Sequence, residues 1–427
     1  MNKKAADVLE LIAQNAVRAV HLRFAGADGA ARSASLPAQR LDAAALLEGI
    51  PLEPGVVLVP DAGSAHLDPF AGAQTLVLAC DVVDGGGDDP RLVVKRAEAR
   101  LISEGIADAV SVGCELSYHV FAGAAFENAP DATGYRLDAA TESELSAVRA
   151  DVVAALDACG LEAGLQCALP FGQSTVELGP ASPCRAGDAV LCAKHAIKSV
   201  AERHDKSATF MPLPMAGRPG NALRLTLGLL KDGKSPFFDK DGWSGASQKL
   251  LYFVGGVLAH AGSLSALCRP SLNSYTLSAG ACEPLLTAFG PARAATLVAV
   301  GSPSRELKAR CVEFRGADLS ANPHYAIAAM LCAGLDGIAR RIDPISAGYG
   351  PFDGRVATGP GAPAAVRERT PTLGSALDEL ERDSAYLTAG GVFGAPFLRR
   401  WVEARRADVA ELATRPHPYE FERVYAS

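Results

Sequence analysis

The chain is short of aromatics, of long apolar runs, of positive charge and of any regular cysteine or histidine spacing. Each shortage removes a class of function. Aromatic residues make up 6% of the 427 residues, so the 49% hydrophobic fraction is mostly alanine, leucine and valine. No stretch approaches the roughly 20 uninterrupted apolar residues of a membrane span. Met1-Asn2-Lys3-Lys4 is followed by Asp7 and Glu10, where a signal peptide needs its apolar stretch. Lys and Arg number 41 against 48 Asp and Glu, a net charge of −7. Neither a nucleic acid nor a membrane is therefore expected as a partner, since both would want a basic patch. The 10 cysteines are too sparse for a disulfide framework, and none forms a CxxC pair. Cys80, Cys159, Cys192, Cys268 and Cys332 fall inside apolar runs and read as small buried hydrophobes. The eight histidines show no HxH, HxxxH or HExxH spacing, so zinc sites of the usual kinds are not expected. What remains is a large, acidic, folded chain, expected to be soluble and cytoplasmic, with room for two or three domains.

The first ninety residues read as a small unit. Ala19 to Phe24 and Ala31 to Leu36 alternate as paired strands around Gly26-Ala27-Asp28-Gly29. A helix is expected at Asp42 to Leu47, and strands at Val56 to Val59 and Thr75 to Val83. Asp84-Gly85-Gly86-Gly87-Asp88-Asp89-Pro90 is the clearest linker, and Pro90 opens a helix through Glu104. The domain boundary is placed here, giving residues 1–90 and 91–427.

The larger part alternates strands and helices. Ala109 to Phe121 and Arg310 to Arg315 read as strands; Glu142 to Cys159, Asp188 to His204, Gln248 to Leu267 and Pro323 to Arg341 read as helices. Leu223 to Leu230 and Ser235 to Asp239 read as a hairpin about an Asp-Gly turn. Two more helices are expected at Leu373 to Leu387 and Pro396 to Leu412, and a mobile loop at Gly348 to Ala365. This order suggests an α+β fold, an antiparallel sheet backed by helices, rather than a doubly wound parallel one. Gly228-Leu229-Leu230-Lys231-Asp232-Gly233-Lys234-Ser235 satisfies the letters of a phosphate-binding loop. That chemistry needs a glycine-rich loop running into a helix N-terminus. Pro236 and two phenylalanines follow instead, so the segment reads as a turn.

Several segments, in order, carry a resemblance. They are Ser207 to Met215, Gly255-Gly256-Val257-Leu258-Ala259-His260-Ala261, Asn273-Ser274-Tyr275, Ala321-Asn322-Pro323-His324, Ala333-Gly334-Leu335-Asp336-Gly337-Ile338, Ala389-Gly390-Gly391-Val392-Phe393 and Pro416-His417-Pro418-Tyr419-Glu420-Phe421. Over nearly the whole chain this resembles the glutamine synthetase family. The resemblance implies an N-terminal β-grasp domain, a C-terminal catalytic domain and homo-oligomeric stacked rings whose active sites are shared between neighbours. It implies ATP-dependent amide formation in which glutamate is phosphorylated and an amine attacks the acyl phosphate, with Mg²⁺ or Mn²⁺ held by carboxylates.

Most of those carboxylates are replaced. The family's Gly-x-Glu-x-Glu strand reads Gly113-Cys114-Glu115-Leu116-Ser117, so Glu115 stays and Ser117 takes the second position. Around Gly172-Gln173 the two glutamate positions hold Thr175 and either Cys167 or Ala168. In Gly220-Asn221-Ala222-Leu223-Arg224, Ala222 and Arg224 stand where the family has histidines. Glu313 is kept, so Glu115 and Glu313 are the metal remnant, a poor cage for one cation. Thr276-Leu277 replaces the Lys-Arg pair whose arginine holds the glutamate carboxylate. The loop Asp-Gly-Ser-Ser that completes a neighbour's site is absent near Glu48-Gly49-Ile50-Pro51. The resemblance implies catalytic roles for Arg293 and Arg315, with Val298 in place of a further arginine. It implies nucleotide contacts from Lys308 and Arg310, with Arg224 and Thr226 beside them. Arg224 could put a fixed cation where metal charge is missing; Cys167 has no evident histidine partner and is not read as a nucleophile.

The expectation is a family member that retains fold and oligomer but not glutamine synthesis, acting as a binding, regulatory or assembly subunit, with ATP possible and metal binding weak or absent. A paralogous active synthetase, or a small-molecule acid or amine, would be its partner. The alternatives are an active carboxylate–amine ligase with a rebuilt site, or another enzyme on the same scaffold.

Overall fold

The computed structural model describes residues 5–72, 74–129, 132–280, 286–292, 296–301, 309–352 and 372–415. The described residues begin with helix α1 (Ala5–Gln14), which is not among the expected elements. Strands β1 (Ala19–Ala25) and β2 (Ala31–Pro37) form the expected hairpin, and α2 (Ala43–Glu48) is N-capped by Asp42, whose carboxylate accepts from Ala45 N at 2.8 Å. β3 (Ile50–Glu53), β4 (Val56–Pro60), β5 (His66–Leu67) and β6 (Thr75–Val83) complete a mixed sheet of order β2-β1-β6-β4-β3, with β5 against β6. Only the central β1/β6 pair is parallel. Val8, Val20, Leu22, Leu58 and Leu76 give this sheet and α1 a core of their own.

Past the glycine linker, α3 (Pro90–Ser103) starts with proline at its first turn and Asp89 as N-cap. The long strand β7 (Ala109–Ala129) and β8 (Ala132–Ala139) lead to α4 (Glu142–Ala158). Strands β9 (Ala163–Leu169) and β10 (Gln173–Ala181) follow, then α5 (Pro183–Arg203), β11 (Ser207–Thr209) and β12 (Leu223–Leu230). α6 (Gln248–Ala259), α7 (Ala261–Cys268) and α8 (Leu272–Gly280) precede β13 (Leu286–Pro291), β14 (Thr296–Gly301) and β15 (Cys311–Ala317). The chain ends with α9 (Pro323–Arg340), α10 (Leu373–Arg382), α11 (Ala385–Thr388) and α12 (Ala395–Ala413).

The large sheet runs β13-β14-β15-β12-β7-β10-β9, with β8 and β11 also paired to β7; all pairs but β13/β14 are antiparallel. On β12, Leu223, Leu225, Leu227 and Leu229 are buried while Arg224 and Thr226 lie on the other face. That two-residue period puts one sheet face on the helices and leaves the other open. The α+β expectation holds. α6 and α9 cross so closely that a Cβ on Gly256 would lie 2.1 Å from the Ala333 carbonyl oxygen, and one on Gly337 2.2 Å from that of Tyr252. Two of the segments that carry the family resemblance are therefore the two sides of one helix contact.

Three of the expected elements take a different form. Asp232 and Gly233 both take positive φ, as the expected turn needs, but Ser235 to Asp239 does not continue as a strand. Pro236 has no N–H to give a ladder, and Phe237 is drawn fully into the core. No helix follows Lys234-Ser235 directly, so the phosphate-loop letters have no phosphate-loop geometry. The expected helix Gln248 to Leu267 is α6 and α7, bent by 72° at His260. His260 is gripped there by Asp383 at 2.7 Å and Asp336 at 2.9 Å. Leu373 to Leu387 likewise breaks at Asp383-Ser384. Among the described residues no single helix is long and apolar enough to cross a membrane. Most of the expected mobile loop, from 353 on, lies outside the described residues.

Arg91 of α3 fastens the small sheet to α5, one of the helices packed on the large sheet. Its guanidinium is 1% exposed and reaches Asp61 and Asp81 of the small sheet at 2.8 Å each, and Asp188 of α5 at 3.0 Å. Burial alone would push its pKa down; Asp188 and the other acids outweigh that and keep it charged. Asn322 adds a second tie, capping α9 through His324 N and Tyr325 N while donating to the Gly26 carbonyl of the β1–β2 turn at 2.9 Å.

Candidate functional site

The open face of the large sheet gathers residues that the sequence scatters over two hundred positions. Ladder register makes the arrangement explicit. Thr175 on β10 stands opposite Cys167 on β9 and Ser117 on β7. Ser117 in turn meets Ala222 at the entry to β12: its backbone N–H donates to the Ala222 carbonyl at 3.1 Å, and its hydroxyl accepts from Ala222 N at 2.8 Å. Cys167, Thr175, Ser117 and Ala222 thus form one row across four strands. All four replace expected ligands, and none carries a carboxylate.

The next row holds the charge. Glu177 on β10 pairs with Glu115 on β7, and Glu115 with Arg224 on β12. The Arg224 Nη1 lies 3.2 Å from Glu115 Oε1. The β12–β15 register shifts between Leu223 and Leu225, so that Arg315 and Gly316 of β15 lie opposite Arg224 as a bulge on β15. Thr226 pairs with Glu313, and the Arg315 Nε donates to Glu313 Oε1 at 2.6 Å. Arg315 also donates to the Ala292 carbonyl. Burial raises the Glu115 pKa; Arg224 and Arg315 pull it down, while Glu177 and Glu313 push it up. These five side chains are one electrostatic unit in which each remnant glutamate has an arginine on it. Glu177 is absent from the sequence reading, since it stands two residues beyond the expected ligand position at Thr175. The register with Glu115 is what reveals it.

The donor set does not fit a hard divalent cation. Such an ion wants several oxygen ligands, mostly carboxylates. The neighbouring row offers a thiol, two hydroxyls and a methyl; of the three carboxylates on the face, Glu115 and Glu313 are each held by an arginine, which leaves Glu177 alone to offer one. Among the described residues, the groups of three potential ligand atoms within 4.8 Å of one another lie elsewhere.

The end of this face is rigidly held. Asn221 is fully buried; its amide donates to the Met211 carbonyl at 2.8 Å, and its oxygen meets His119 Nδ1 at 2.8 Å and Gln173 Nε2 at 3.3 Å. Burial lowers the His119 pKa and keeps the ring neutral. Asn273 clasps the Leu213 backbone in both directions, at 2.7 and 3.1 Å. Gln173 of the retained Gly-Gln, the Thr209–Leu213 stretch and Asn273 therefore build a hydrogen-bonded frame at this end of the face. Arg310 lies at the entry to β15, its Nε buried beside Gly245 with no hydrogen-bond partner among the described residues. Arg293, Lys308 and the Pro416 to Phe421 segment lie outside the described residues. Val298 is buried on β14, and Thr276 is exposed on α8.

The glutamine synthetase catalytic-domain family model matches residues 87–424. The glutamine synthetase of Mycolicibacterium smegmatis is 31% identical over 99% of each chain. That of Methylococcus capsulatus is 32% identical over 98% of this chain and 99% of its own. Among solved structures, Plasmodium falciparum glutamine synthetase matches with a TM-score of 0.85 at 19% identity over 100% of both chains. Apo GmaS without ligand matches at 0.81 with 24% identity, over 99% of this chain and 100% of its own. The chain belongs to the glutamine synthetase family.

Proposed function

We propose that this chain is a family member that has exchanged metal-dependent amide synthesis for a role as a binding, regulatory or assembly subunit. The observation that carries this is the pairing of Arg224 with Glu115 and of Arg315 with Glu313, next to a row of Cys167, Thr175, Ser117 and Ala222. Phosphoryl transfer is mainly positioning and charge neutralisation by metal ions. Here fixed guanidinium groups supply the positive charge, and they cannot bridge a nucleotide to a second substrate as a coordinated cation does. A change of acid substrate would account for Thr276-Leu277 but not for the altered ligand row, because any ATP-dependent ligase on this scaffold still needs its cation. ATP binding through Arg310 and Lys308, roles for Arg293 and Thr226, a division near residue 90, and homo-oligomeric rings with or without an active paralogue belong to the same reading. The test is glutamate-dependent phosphate release from ATP with Mg²⁺ or Mn²⁺ and ammonia, which is expected to stay at background. Running the same assay over a panel of other acids and amines separates this reading from a ligase with a rebuilt site.

A further inference from the structure

Away from the open face, a cleft of about 940 Å³ lies between the small sheet and α5. Three of its lining residues come from three separate segments: His66 on β5, Cys159 just past α4, and Cys192 in the middle of α5. One imidazole nitrogen and the two sulphurs lie within 4.8 Å of one another. Both cysteines are free thiols.

The tautomer of His66 follows from its neighbour. Nδ1 is 3.0 Å from the Ser64 carbonyl oxygen, which can only accept, so Nδ1 carries the proton and Nε2 offers a lone pair. Nε2 is buried without an oxygen or nitrogen partner among the described residues, and it faces the Cys192 thiol. A protonated Nδ1 on a backbone carbonyl with Nε2 unprotonated is the arrangement that metal-ligating histidines show. Ser64 is itself fixed, its hydroxyl donating to the Asp61 carbonyl at 2.6 Å and accepting from Ala79 N at 2.8 Å.

We propose that His66, Cys159 and Cys192 bind a thiophilic cation of the Zn²⁺ class through one imidazole nitrogen and two thiolates, with a fourth position open to the cleft. Imidazole and thiolate are the donors such ions select. Bond lengths of about 2.0–2.3 Å set ligand–ligand edges of about 3.5–3.8 Å, so a contraction of about an ångström closes the site. The hydrogen bond between Cys159 and Cys192 favours one thiolate and one thiol: it holds Cys192 well below its usual range and, with burial, holds Cys159 well above. Metal entry expels the remaining thiol proton to solvent, and two thiolates balance the charge of one divalent ion. The other three-residue cluster, Cys184, Asp188 and His324, is a different case: Arg91 sits 3.0 Å from Asp188 and already supplies its cation. A metal at His66, Cys159 and Cys192 would pin the small sheet to α4 and α5, a further fastening beside Arg91 and Asn322.

The experiment is a Co²⁺ titration of the full-length protein, purified under reducing conditions and stripped with a chelator. One equivalent per chain should bring up thiolate-to-cobalt charge-transfer absorption and tetrahedral d–d bands, and Zn²⁺ should displace it. Cys159→Ser and Cys192→Ser should each abolish the charge-transfer band. His66→Gln should weaken binding by more than the roughly 10–100-fold that loss of an outer-shell partner costs. Cys332→Ser, on α9 and outside the cleft, should leave the cobalt bands unchanged. Zn²⁺ should raise the melting temperature of the parent and not of Cys192→Ser. Parent protein without the cobalt bands, bands that survive in Cys192→Ser, or a Cys159–Cys192 disulfide in the reduced preparation would each overturn the proposal. The parent spectrum decides even if a variant fails to fold.

Discussion

Arg224 reaches across the β12–β7 ladder to place its Nη1 3.2 Å from Glu115 Oε1. The arginine is half-exposed, and pairs of this kind contribute only about 0–1 kcal/mol to stability. Its importance is therefore to charge rather than to folding. Arg224→Gln should melt within a few degrees of the parent, yet leave Glu115, Glu177 and Glu313 with one guanidinium fewer. Mn²⁺ affinity, followed by electron paramagnetic resonance, should rise in the variant. Unchanged affinity with unchanged stability would mean the guanidinium is not what keeps cations off these carboxylates.

Putting carboxylates back is the complementary change. Cys167, Thr175 and Ser117 are cross-strand neighbours, so Cys167→Glu/Thr175→Glu/Ser117→Glu sets three acids side by side. Mn²⁺ binding should tighten at least about tenfold. The double variant that spares Ser117, and with it the hydrogen bonds to Ala222, should lie in between. A triple variant that folds and binds no better than the parent would show that these positions do not converge on an ion.

Arg91 ties the small sheet to α5 through three carboxylates. Arg91→Met leaves Asp61, Asp81 and Asp188 without their shared cation, a loss of about 3–5 kcal/mol for a buried pair broken on one side. Lys95 still reaches Asp81 at 2.6 Å, Arg185 reaches Asp61 at 3.3 Å and His324 reaches Asp188 at 3.1 Å, so each acid keeps a second partner and the loss should sit at the low end of that range. A denaturant midpoint that does not move would refute the clamp.

His260 supplies a pH-dependent brace at the α6–α7 bend. Burial lowers its pKa, but the hydrogen bonds and charges of Asp383 and Asp336 win and raise it. The folded state thus binds the proton more tightly than the unfolded chain. That stabilisation is full below the ordinary histidine value of 6.5 and fades as pH climbs through the raised one. Melting curves of parent and His260→Asn should differ more at pH 6 than at pH 9. A gap that widens with pH would reverse the assignment.

Much of the fold was legible because alternation and capping are local. β1, β2, β12 and α3 show the two-residue period or the proline start in their own residues. The bend at His260 was not, because the apolar pattern runs on through Ala261 and Leu264 and the break is made by Asp336 and Asp383 from distant helices. The β9–β10 hairpin lacked a clean alternation, and its turn rests on positive φ at Phe171 and Gly172. The replaced ligand positions could be named from their offsets to Gly172-Gln173 and Gly113, but that they form one row is a matter of register. Glu177 emerges only from that register. The grouping of His66, Cys159 and Cys192 needs the packing of the small sheet on α5, which no spacing motif encodes.

The most direct test of the account is phosphate release with ATP, Mg²⁺ or Mn²⁺, glutamate and ammonia, run beside an intact synthetase. If guanidinium groups have replaced the metals, release stays at the no-enzyme background at every metal concentration. Robust glutamate-dependent release, saturating with metal, would contradict it.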